Sequence, residues 1–318
     1  STTRTITVSN IDKTAPTGNL TQTPTIDTNG DVTLNLTSIA DTGGSGYYST
    51  RLPNGTYVTT TTASETVTSN GTYSFVIYDY AGNSTTRTIT VSNIDKISPT
   101  GNLTQTPTAW TNGNVTLNLT SIADVDSGVK NIKLPNGTLV TGTSASQVVS
   151  VNGSYSFVIY DNAGNSTTKT IVVGNIDEIA PTGTLTQTPT SWTNGNVTLN
   201  LTSIADNDSG VKNIKLPNGT LVTGTTASQS VSVNGTYSFV IYDNAGNSTT
   251  KSITVGNIEE VAPTGTLTQT PTGDTNGNVT LNLTSIADTG GSGYYRTRLP
   301  NGSYVTTTTA SETVTANG

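Results

Sequence analysis

The feature that most constrains the fold of this 318-residue chain is an internal repeat of about 82 residues. The letters NID or NIE begin at Asn10, Asn93, Asn175 and Asn257, so successive copies start 83, 82 and 82 residues apart. All twelve prolines fall at three equivalent positions in each copy. The chain is therefore a tandem array of one domain type, and the period sets the size of that domain.

The period also sets the domain boundaries. Residues 1–10 have the same sequence as residues 84–93, so we interpret them as the last strand of a preceding repeat. Four repeats follow, at residues 11–93, 94–175, 176–257 and 258–318. We expect the fourth to be incomplete, because it stops before the last two strands of the pattern.

Within one copy, the hydrophobic pattern predicts strands and no helices. In repeat 2, Val115, Leu117 and Leu119 alternate with polar residues, which is typical of a strand with one buried face. Turn signals such as PNG and NG separate this segment from six others. The predicted strands are 100–107, 114–122, 129–134, 138–143, 146–151, 154–161 and 167–175. Seven short strands predict an all-β fold of tandem immunoglobulin-like β-sandwich domains arranged end to end.

The same alternation predicts the core and one side-chain contact. The core residues expected in repeat 2 are Leu103, Val115, Leu117, Leu119, Ile132, Leu134, Tyr155, Phe157, Ile159 and Ile171. A tyrosine follows the NG turn at the start of the sixth strand in repeats 1 to 3. It is either a tyrosine corner, whose hydroxyl bonds back to the upstream backbone, or simply a core aromatic.

Composition excludes several classes of function. The chain has no Cys, Met or His, which removes thiol chemistry, disulfides, imidazole metal ligands and histidine acid–base catalysis. The net charge of −7 disfavours nucleic acid as a partner. No apolar run approaches the roughly 20 residues needed to cross a bilayer, so we expect no membrane insertion in this segment.

The sequence of the loop and linker resembles that of a known class of repeats. The stretch YDNAGNSTTKTIVVGNIDEIAPTGTLTQTP, beginning at Tyr160, resembles the bacterial immunoglobulin-like (Big-type) tandem repeats of large surface adhesins. The resemblance covers the whole chain. It implies an extracellular, cell-surface location and a rod-like array that acts as a structural spacer. It also implies neighbouring repeats as the direct partners, with any host surface ligand bound by other domains.

Acidic residues concentrate in the linkers and in two loops of each repeat. In an immunoglobulin-like topology these segments meet at one end of the sandwich, so we expect the carboxylates to gather there. Ca²⁺ is bound by such oxygen ligands, and we predict that it could stiffen the junctions. The candidate ligands are Asp95, Asp124, Asp126 and Asp161 in repeat 2, Asp177, Asp206, Asp208 and Asp243 in repeat 3, and, more weakly, Asp12, Asp41 and Asp79 in repeat 1.

Alternatives remain open for these acids and for the function. The aspartates could instead cap turns by accepting local backbone N–H bonds, without metal. We expect no enzyme, because a glycosidase would need a cleft and a tuned proton donor rather than tight loops repeated without specialisation. The tyrosine pairs Tyr47-Tyr48 and Tyr294-Tyr295 could hold a glycan or protein, or one ring of each pair could face the core. The chain could also be the subunit of an extracellular filament.

Overall fold

A computed structural model describes residues 2–317, and over that range it contains β-strands and no helix. Two compact units are present. The first comprises the residues up to Thr108 together with Asn114–Gly174, and the second comprises Ala109–Gly113 together with the residues from Asn175 onward. The prediction of an all-β chain is confirmed.

Repeats 1 to 3 each contain seven strands. In repeat 1 these are β1 (Thr17–Thr23), β2 (Val32–Ala40), β3 (Tyr47–Arg51), β4 (Tyr57–Val58), β5 (Ala63–Val67), β6 (Gly71–Asp79) and β7 (Ser84–Val91). In repeat 2 they are β8 (Thr100–Thr106), β9 (Val115–Ala123), β10 (Val129–Lys133), β11 (Leu139–Val140), β12 (Ala145–Val149), β13 (Gly153–Asp161) and β14 (Ser166–Val173). The fourth and fifth predicted strands are shorter than expected, and the other bounds differ by one or two residues.

Repeat 3 follows the same order. Its strands are β15 (Thr182–Thr188), β16 (Val197–Ala205), β17 (Val211–Lys215), β18 (Leu221–Val222), β19 (Ala227–Val231), β20 (Gly235–Asp243) and β21 (Ser248–Val255). The described part of repeat 4 has β22 (Thr264–Thr270), β23 (Val279–Ala287), β24 (Thr297–Arg298), β25 (Tyr304–Val305) and β26 (Ala310–Val314). Residues 2–10, interpreted from sequence as a strand, form no strand.

Each complete repeat is a sandwich of two antiparallel sheets. In repeat 1 the strand order is β1-β2-β5 in one sheet and β4-β3-β6-β7 in the other, and repeats 2 and 3 have the same arrangement. The fourth strand therefore pairs with the third, instead of joining the first sheet as in constant-type immunoglobulin domains. This topology brings the linker, the loop after the second strand and the loop after the sixth strand to one end.

The core lies between the two sheets. In repeat 3 the second and sixth strands contribute buried residues from alternate positions, such as Val197, Leu199 and Leu201, because the pleat turns successive side chains to opposite faces. The third, fifth and seventh strands contribute one buried residue each, Ile214, Val231 and Val255. In repeat 2, Val115, Leu117, Leu119, Ile132, Phe157 and Ile159 are buried as predicted. Leu103, Leu134, Tyr155 and Ile171 were predicted to be core residues but are only half-buried.

A bulge near the end of the second strand explains a core residue that alternation does not predict. Ile122 is buried although it is out of phase with Val115, Leu117 and Leu119. Ser121 has a φ of 52°, and the register shifts there, so two residues of β9, Ser121 and Ile122, oppose one residue of β8. The shift reverses the alternation and turns Ile122 inward. The partner residue opposite the bulge, Gly101, has no room for a side chain, because a Cβ atom would lie 2.8 Å from an Ile159 methyl group.

The tyrosine at the start of the sixth strand forms a tyrosine corner. Tyr155 donates its hydroxyl hydrogen to the carbonyl oxygen of Val151 at 2.7 Å. Tyr73 and Tyr237 make the same bond to residues four positions upstream, also at 2.7 Å. The corner fixes the chain as it enters the sixth strand, which ends at the acidic loop considered next.

Candidate metal centres in the acidic loops

The structure brings three carboxylates together at one end of each complete repeat. Their ligand atoms all lie within 4.8 Å of one another. The three groups, called here the acid clusters of repeats 1, 2 and 3, are Asp12/Asp41/Asp79, Asp95/Asp124/Asp161 and Asp177/Asp206/Asp243. Each takes one residue from the linker, one from the loop after the second strand and one from the end of the sixth strand.

The aspartate of the YDNAGN sequence is the most buried member. Asp161 has no exposed surface, and its Oδ1 accepts hydrogen bonds from the backbone N–H groups of Gly164 and Asn165, both at 2.7 Å. Its Oδ2 accepts a bond from the Asn165 side chain at 2.8 Å. The turn-capping role considered from sequence is therefore real. Asp243 makes the same three bonds in repeat 3.

The linker aspartate joins two segments of its own repeat. Asp95 is 3% exposed and accepts bonds from the backbone N–H groups of Ile97 at 2.8 Å and Ser127 at 3.1 Å. Burial alone would raise the pKa of Asp95. The hydrogen bonds from the Ser127 side chain and from the two backbone groups outweigh burial and hold its pKa below the usual 3.8. Asp95 is therefore charged at neutral pH.

The third aspartate has a buried oxygen with no hydrogen-bond partner. Asp124 Oδ2 accepts bonds from the backbone N–H of Gly128 at 2.7 Å and from the Ser127 hydroxyl at 3.5 Å. Asp124 Oδ1 is buried and unpartnered. Repeat 3 repeats this arrangement, because Asp206 Oδ1 accepts from Gly210 N–H and Asp206 Oδ2 is buried without a partner.

Two predicted ligands lie outside the clusters. Asp126 and Asp208 are exposed, and neither belongs to the acid cluster of its repeat. The residue that follows each of them, Ser127 or Ser209, instead donates its backbone N–H to the linker aspartate of its repeat. The prediction that these two residues join the other three is wrong. The other nine candidate residues form the three acid clusters, and their role as metal ligands stays a prediction.

No cationic side chain neutralises these carboxylates within the described range. The ion pair that the structure does contain joins Lys96 and Asp31, which are not cluster residues, at 3.3 Å. Two unit charges separated by 4.8 Å repel by roughly 3 kcal/mol at an effective dielectric constant of about 20. Hydrogen bonds to backbone N–H groups reduce this cost for Asp95 and Asp161. The unpartnered oxygen of Asp124 has no such compensation.

The acid cluster of repeat 2 lies beside the contact with repeat 1. Asn29 of repeat 1 donates its backbone N–H to the carbonyl of Ala163 at 3.0 Å, next to the Asp161 turn. Thr28 and Ile94 form an isolated parallel bridge, and Asp95 N–H donates to the Thr28 carbonyl at 2.9 Å. The backbone of Asp95 is thus bonded to repeat 1, while its carboxylate is bonded to repeat 2.

The second unit contains the same contacts. Thr111 bridges to Ile176, Asp177 N–H donates to the Thr111 carbonyl at 2.9 Å, and Asn112 N–H donates to the Ala245 carbonyl at 3.1 Å. A cation bound at either cluster would therefore act on a linker residue that is bonded to segments on both of its sides.

Sequence reasoning overlooked the asparagines that hold this end together. Asn165 donates from its side chain to the Asp161 carboxylate and to the Asp95 carbonyl at 2.9 Å. In repeat 1, Asn70 pairs with both backbone groups of Ile94, at 2.8 and 2.9 Å. Asn93 donates to the Ile26 carbonyl at 2.7 Å. Their recurrence at fixed positions in NID, AGN and the NG turn was the signal that could have identified them.

Comparisons with known proteins give structural matches alone. A scan against protein-family models finds no match, and a search of curated proteins finds none either. One similar solved structure comes from a study of host cell surface retention of a 1.5-MDa bacterial ice-binding adhesin, with 20% sequence identity and a TM-score of 0.37 over 76% of this chain and 97% of that chain.

A second similar structure is a tetra-tandem repeat in the extending region of a large adhesion protein. It has 19% identity and a TM-score of 0.24, covering 95% of this chain and 89% of that one. A third, trypsin-activated alpha-2-macroglobulin from Escherichia coli, has 10% identity and a TM-score of 0.21, covering 97% of this chain and 29% of that one. Because all three TM-scores lie below 0.5, function is inferred below from this chain's own residues.

The fold and the repeated site together define a class. The chain consists of tandem immunoglobulin-like β-sandwich repeats with an acid cluster at one end of each complete repeat. Residues 2–317 include no helix with the length and hydrophobicity needed to cross a bilayer.

Proposed function

We propose that this chain is a structural spacer in the stalk of an extracellular surface adhesin or fibre, and that Ca²⁺ bound between its repeats stiffens it into a rod. Its direct partners are the neighbouring repeats, and a host surface ligand would be bound by other domains. The tandem repeat and the resemblance of the loop and linker sequence to adhesin repeats support the spacer role. The acid clusters support the role of Ca²⁺.

The observation that carries the metal proposal is the buried negative charge of the clusters in repeats 2 and 3, which no cationic side chain of the described residues neutralises. Each has three carboxylates within 4.8 Å, two of which are almost fully buried, and one oxygen that is buried without a partner. A divalent cation between the carboxylates would attract each of them and so offset their mutual repulsion. If these aspartates only capped turns, a buried carboxylate oxygen without a partner would have no role.

The donor set fits a hard cation. Ca²⁺ takes six to eight oxygen ligands from carboxylates, carbonyls and water, and it tolerates irregular geometry. Asp95, Asp124 and Asp161 would hold it in repeat 2, and Asp177, Asp206 and Asp243 would hold it in repeat 3. The absence of Cys and His makes a transition metal such as zinc a poor fit.

The mechanical consequence follows from the linker residue. Asp95 is bonded to repeat 1 through its backbone and to repeat 2 through its carboxylate. A cation that fixes this carboxylate to Asp124 and Asp161 would restrict rotation of the linker relative to repeat 2. Bending at the junction would then break metal–ligand bonds in addition to hydrogen bonds.

Small-angle X-ray scattering of the 318-residue chain tests this proposal. We expect the maximum dimension to increase and the flexibility shown by the normalised Kratky plot to decrease when Ca²⁺ replaces EGTA. The matched control is the double variant Asp124→Asn with Asp206→Asn, which keeps the Gly128 and Gly210 hydrogen bonds but removes one charge from each cluster. Identical scattering with Ca²⁺ and with EGTA would refute the stiffening role.

A further inference from the structure

Repeat 1 carries a cleft walled by tyrosines on the outer face of its four-stranded sheet. The cleft has a volume of about 440 Å³, and its lining residues include Tyr48, Tyr57, Tyr78, Tyr80 and Ser49. The rings form two pairs, Tyr48 with Tyr80 at a centroid distance of 5.1 Å and Tyr57 with Tyr78 at 6.3 Å. Tyr48, Tyr57 and Tyr80 are 52%, 60% and 71% exposed. This feature, called here the tyrosine cleft, is not part of the junction described above.

The bottom of the tyrosine cleft has an unsatisfied polar group. Ser49 is 4% exposed, and its hydroxyl oxygen is buried without a hydrogen-bond partner. Asp79, a member of the repeat 1 acid cluster, also lines the cleft. Arg51 lies opposite Tyr57 in the β3–β4 register but is not among the lining residues. The lining therefore combines aromatic faces, a hydroxyl and a carboxylate, with no cationic side chain.

Repeats 2 and 3 lack this arrangement at the same positions. Where repeat 1 has Tyr48, Tyr57 and Tyr80, repeat 2 has Lys130, Leu139 and Asn162, and only Tyr160 remains. Repeat 3 has Lys212, Leu221 and Asn244 with Tyr242. The cluster of four tyrosines is thus absent from repeats 2 and 3, and it is not needed for the fold.

Repeat 4 has two of these tyrosine positions and places a cationic side chain against them. Tyr295 and Tyr304 correspond to Tyr48 and Tyr57, and Arg296 stands in place of Ser49. The Arg296 guanidinium carbon lies 4.0 Å from the Tyr304 ring centroid and 5.0 Å from the Tyr295 centroid. In repeat 4 these two tyrosines therefore contact a guanidinium of the same chain, whereas repeat 1 has a serine at the position of that arginine.

We propose that the tyrosine cleft of repeat 1 is a binding site for the guanidinium group of an arginine side chain presented by a partner protein. The aromatic faces attract such a cation through their quadrupoles. The unpartnered Ser49 oxygen can accept an N–H bond, and the Asp79 carboxylate adds negative potential. The net charge of −7 also favours a cationic partner. This inference goes beyond the spacer role, because it gives repeat 1 a ligand of its own.

Ligand-observed saturation-transfer NMR on the 318-residue chain tests the proposal, with N-acetyl-L-arginine methylamide as the probe. The matched control probe is the citrulline analogue, which has nearly the same shape but no charge. We expect saturable transfer to the arginine probe and at least fivefold weaker transfer to the citrulline probe. Lactose, a neutral disaccharide, forms the third arm.

Two variants taken from the chain's own repeats complete the test. Ser49→Arg introduces the residue of repeat 4 and should fill the cleft. Tyr80→Asn introduces the residue of repeats 2 and 3. We expect each to weaken arginine binding at least fivefold while the melting temperature stays within a few degrees of wild type. Equal binding of both probes, binding of lactose without arginine, or full arginine binding in both variants would overturn the proposal.

Discussion

The acid clusters of repeats 1 and 2 take their aspartates from the same three positions of the fold but differ in the loop after the second strand. In repeat 1 the loop reads DTGGSG, and both oxygens of Asp41 are satisfied, by the N–H groups of Gly43 at 3.0 Å and Gly46 at 2.8 Å and by the Ser45 hydroxyl at 3.3 Å. In repeat 2 the loop reads DVDSG, one residue shorter, and Asp124 Oδ1 is left buried and unpartnered.

The linker aspartates of the two repeats also differ in burial, and the less buried one belongs to the repeat whose loop aspartate is fully hydrogen-bonded. The linker aspartate is half-buried in repeat 1 and almost fully buried in repeat 2. Hydrogen bonds from the Ser45 side chain and from the backbone of Thr14 and Ser45 lower the pKa of Asp12. One extra glycine therefore lets the protein satisfy its carboxylates internally. Two clusters built from the same three aspartates can therefore differ in how strongly they need a cation to balance their charge.

The largest expected effect comes from removing the buried capping carboxylate. Asp161→Ala should destabilise repeat 2 by about 3 kcal/mol, because three donors on Gly164 and Asn165 lose their acceptor. Asp79→Ala in repeat 1 removes an acceptor for two donors of Asn83 and should cost less. Urea denaturation in EGTA measures both. A larger loss for Asp79→Ala would break the comparison.

The second-largest expected effect is that of Asp124→Asn on stability, and its sign depends on calcium. In EGTA, Asp124→Asn should be neutral or stabilising by on the order of 1 kcal/mol, since it removes one of three repelling charges. In excess Ca²⁺ it should be destabilising relative to wild type, because a ligand is lost. Asp41→Asn in repeat 1 is the control and should show a weaker dependence on Ca²⁺. Thermal unfolding followed by circular dichroism measures the four combinations.

A third effect concerns the linker. Asn70→Ala removes two hydrogen bonds to the backbone of Ile94 and should cost about 1–2 kcal/mol. Hydrogen exchange at Ile94 and Asp95 should accelerate in this variant. The equivalent change in repeat 3, Asn234→Ala, should act in the same way, because Asn234 makes the same two bonds to Ile258. Unchanged exchange at these amides would show that the asparagine does not hold the linker.

The smallest effect is expected at the exposed loop acids. Asp126→Asn and Asp208→Asn should each change the free energy of unfolding by less than about 0.5 kcal/mol, since both residues are exposed and outside the clusters. Their Ca²⁺ affinity should match wild type within a factor of two. A tenfold loss of Ca²⁺ affinity in either variant would show that the substituted residue is a Ca²⁺ ligand.

Much of the fold could be predicted from sequence because it depends on local patterns. Alternating Val115, Leu117 and Leu119 identified a half-buried strand, and the tyrosine after the NG turn was rightly considered as a corner. The repeat predicts the number of domains. Ile122 was not predicted, because a bulge at Ser121 changes which face a residue occupies, and periodicity carries no information about bulges.

The candidate site was predicted in composition but not in detail. The linker and sixth-strand aspartates, Asp95 and Asp161, were placed correctly because topology alone brings those segments together. Asp126 was wrongly included, since only the geometry of the loop decides which acid points inward. Asn165 was missed because an asparagine in a loop has many uses, and its contacts with Asp161 and Asp95 depend on three-dimensional placement.

Isothermal titration of the 318-residue chain with Ca²⁺ tests the central account most directly. We predict two sites of highest affinity, in repeats 2 and 3, which persist in Asp12→Asn and vanish in the double variant Asp124→Asn with Asp206→Asn. No binding at millimolar Ca²⁺, or the same two sites in the double variant, would contradict the assignment of the unpartnered carboxylate oxygens as metal ligands.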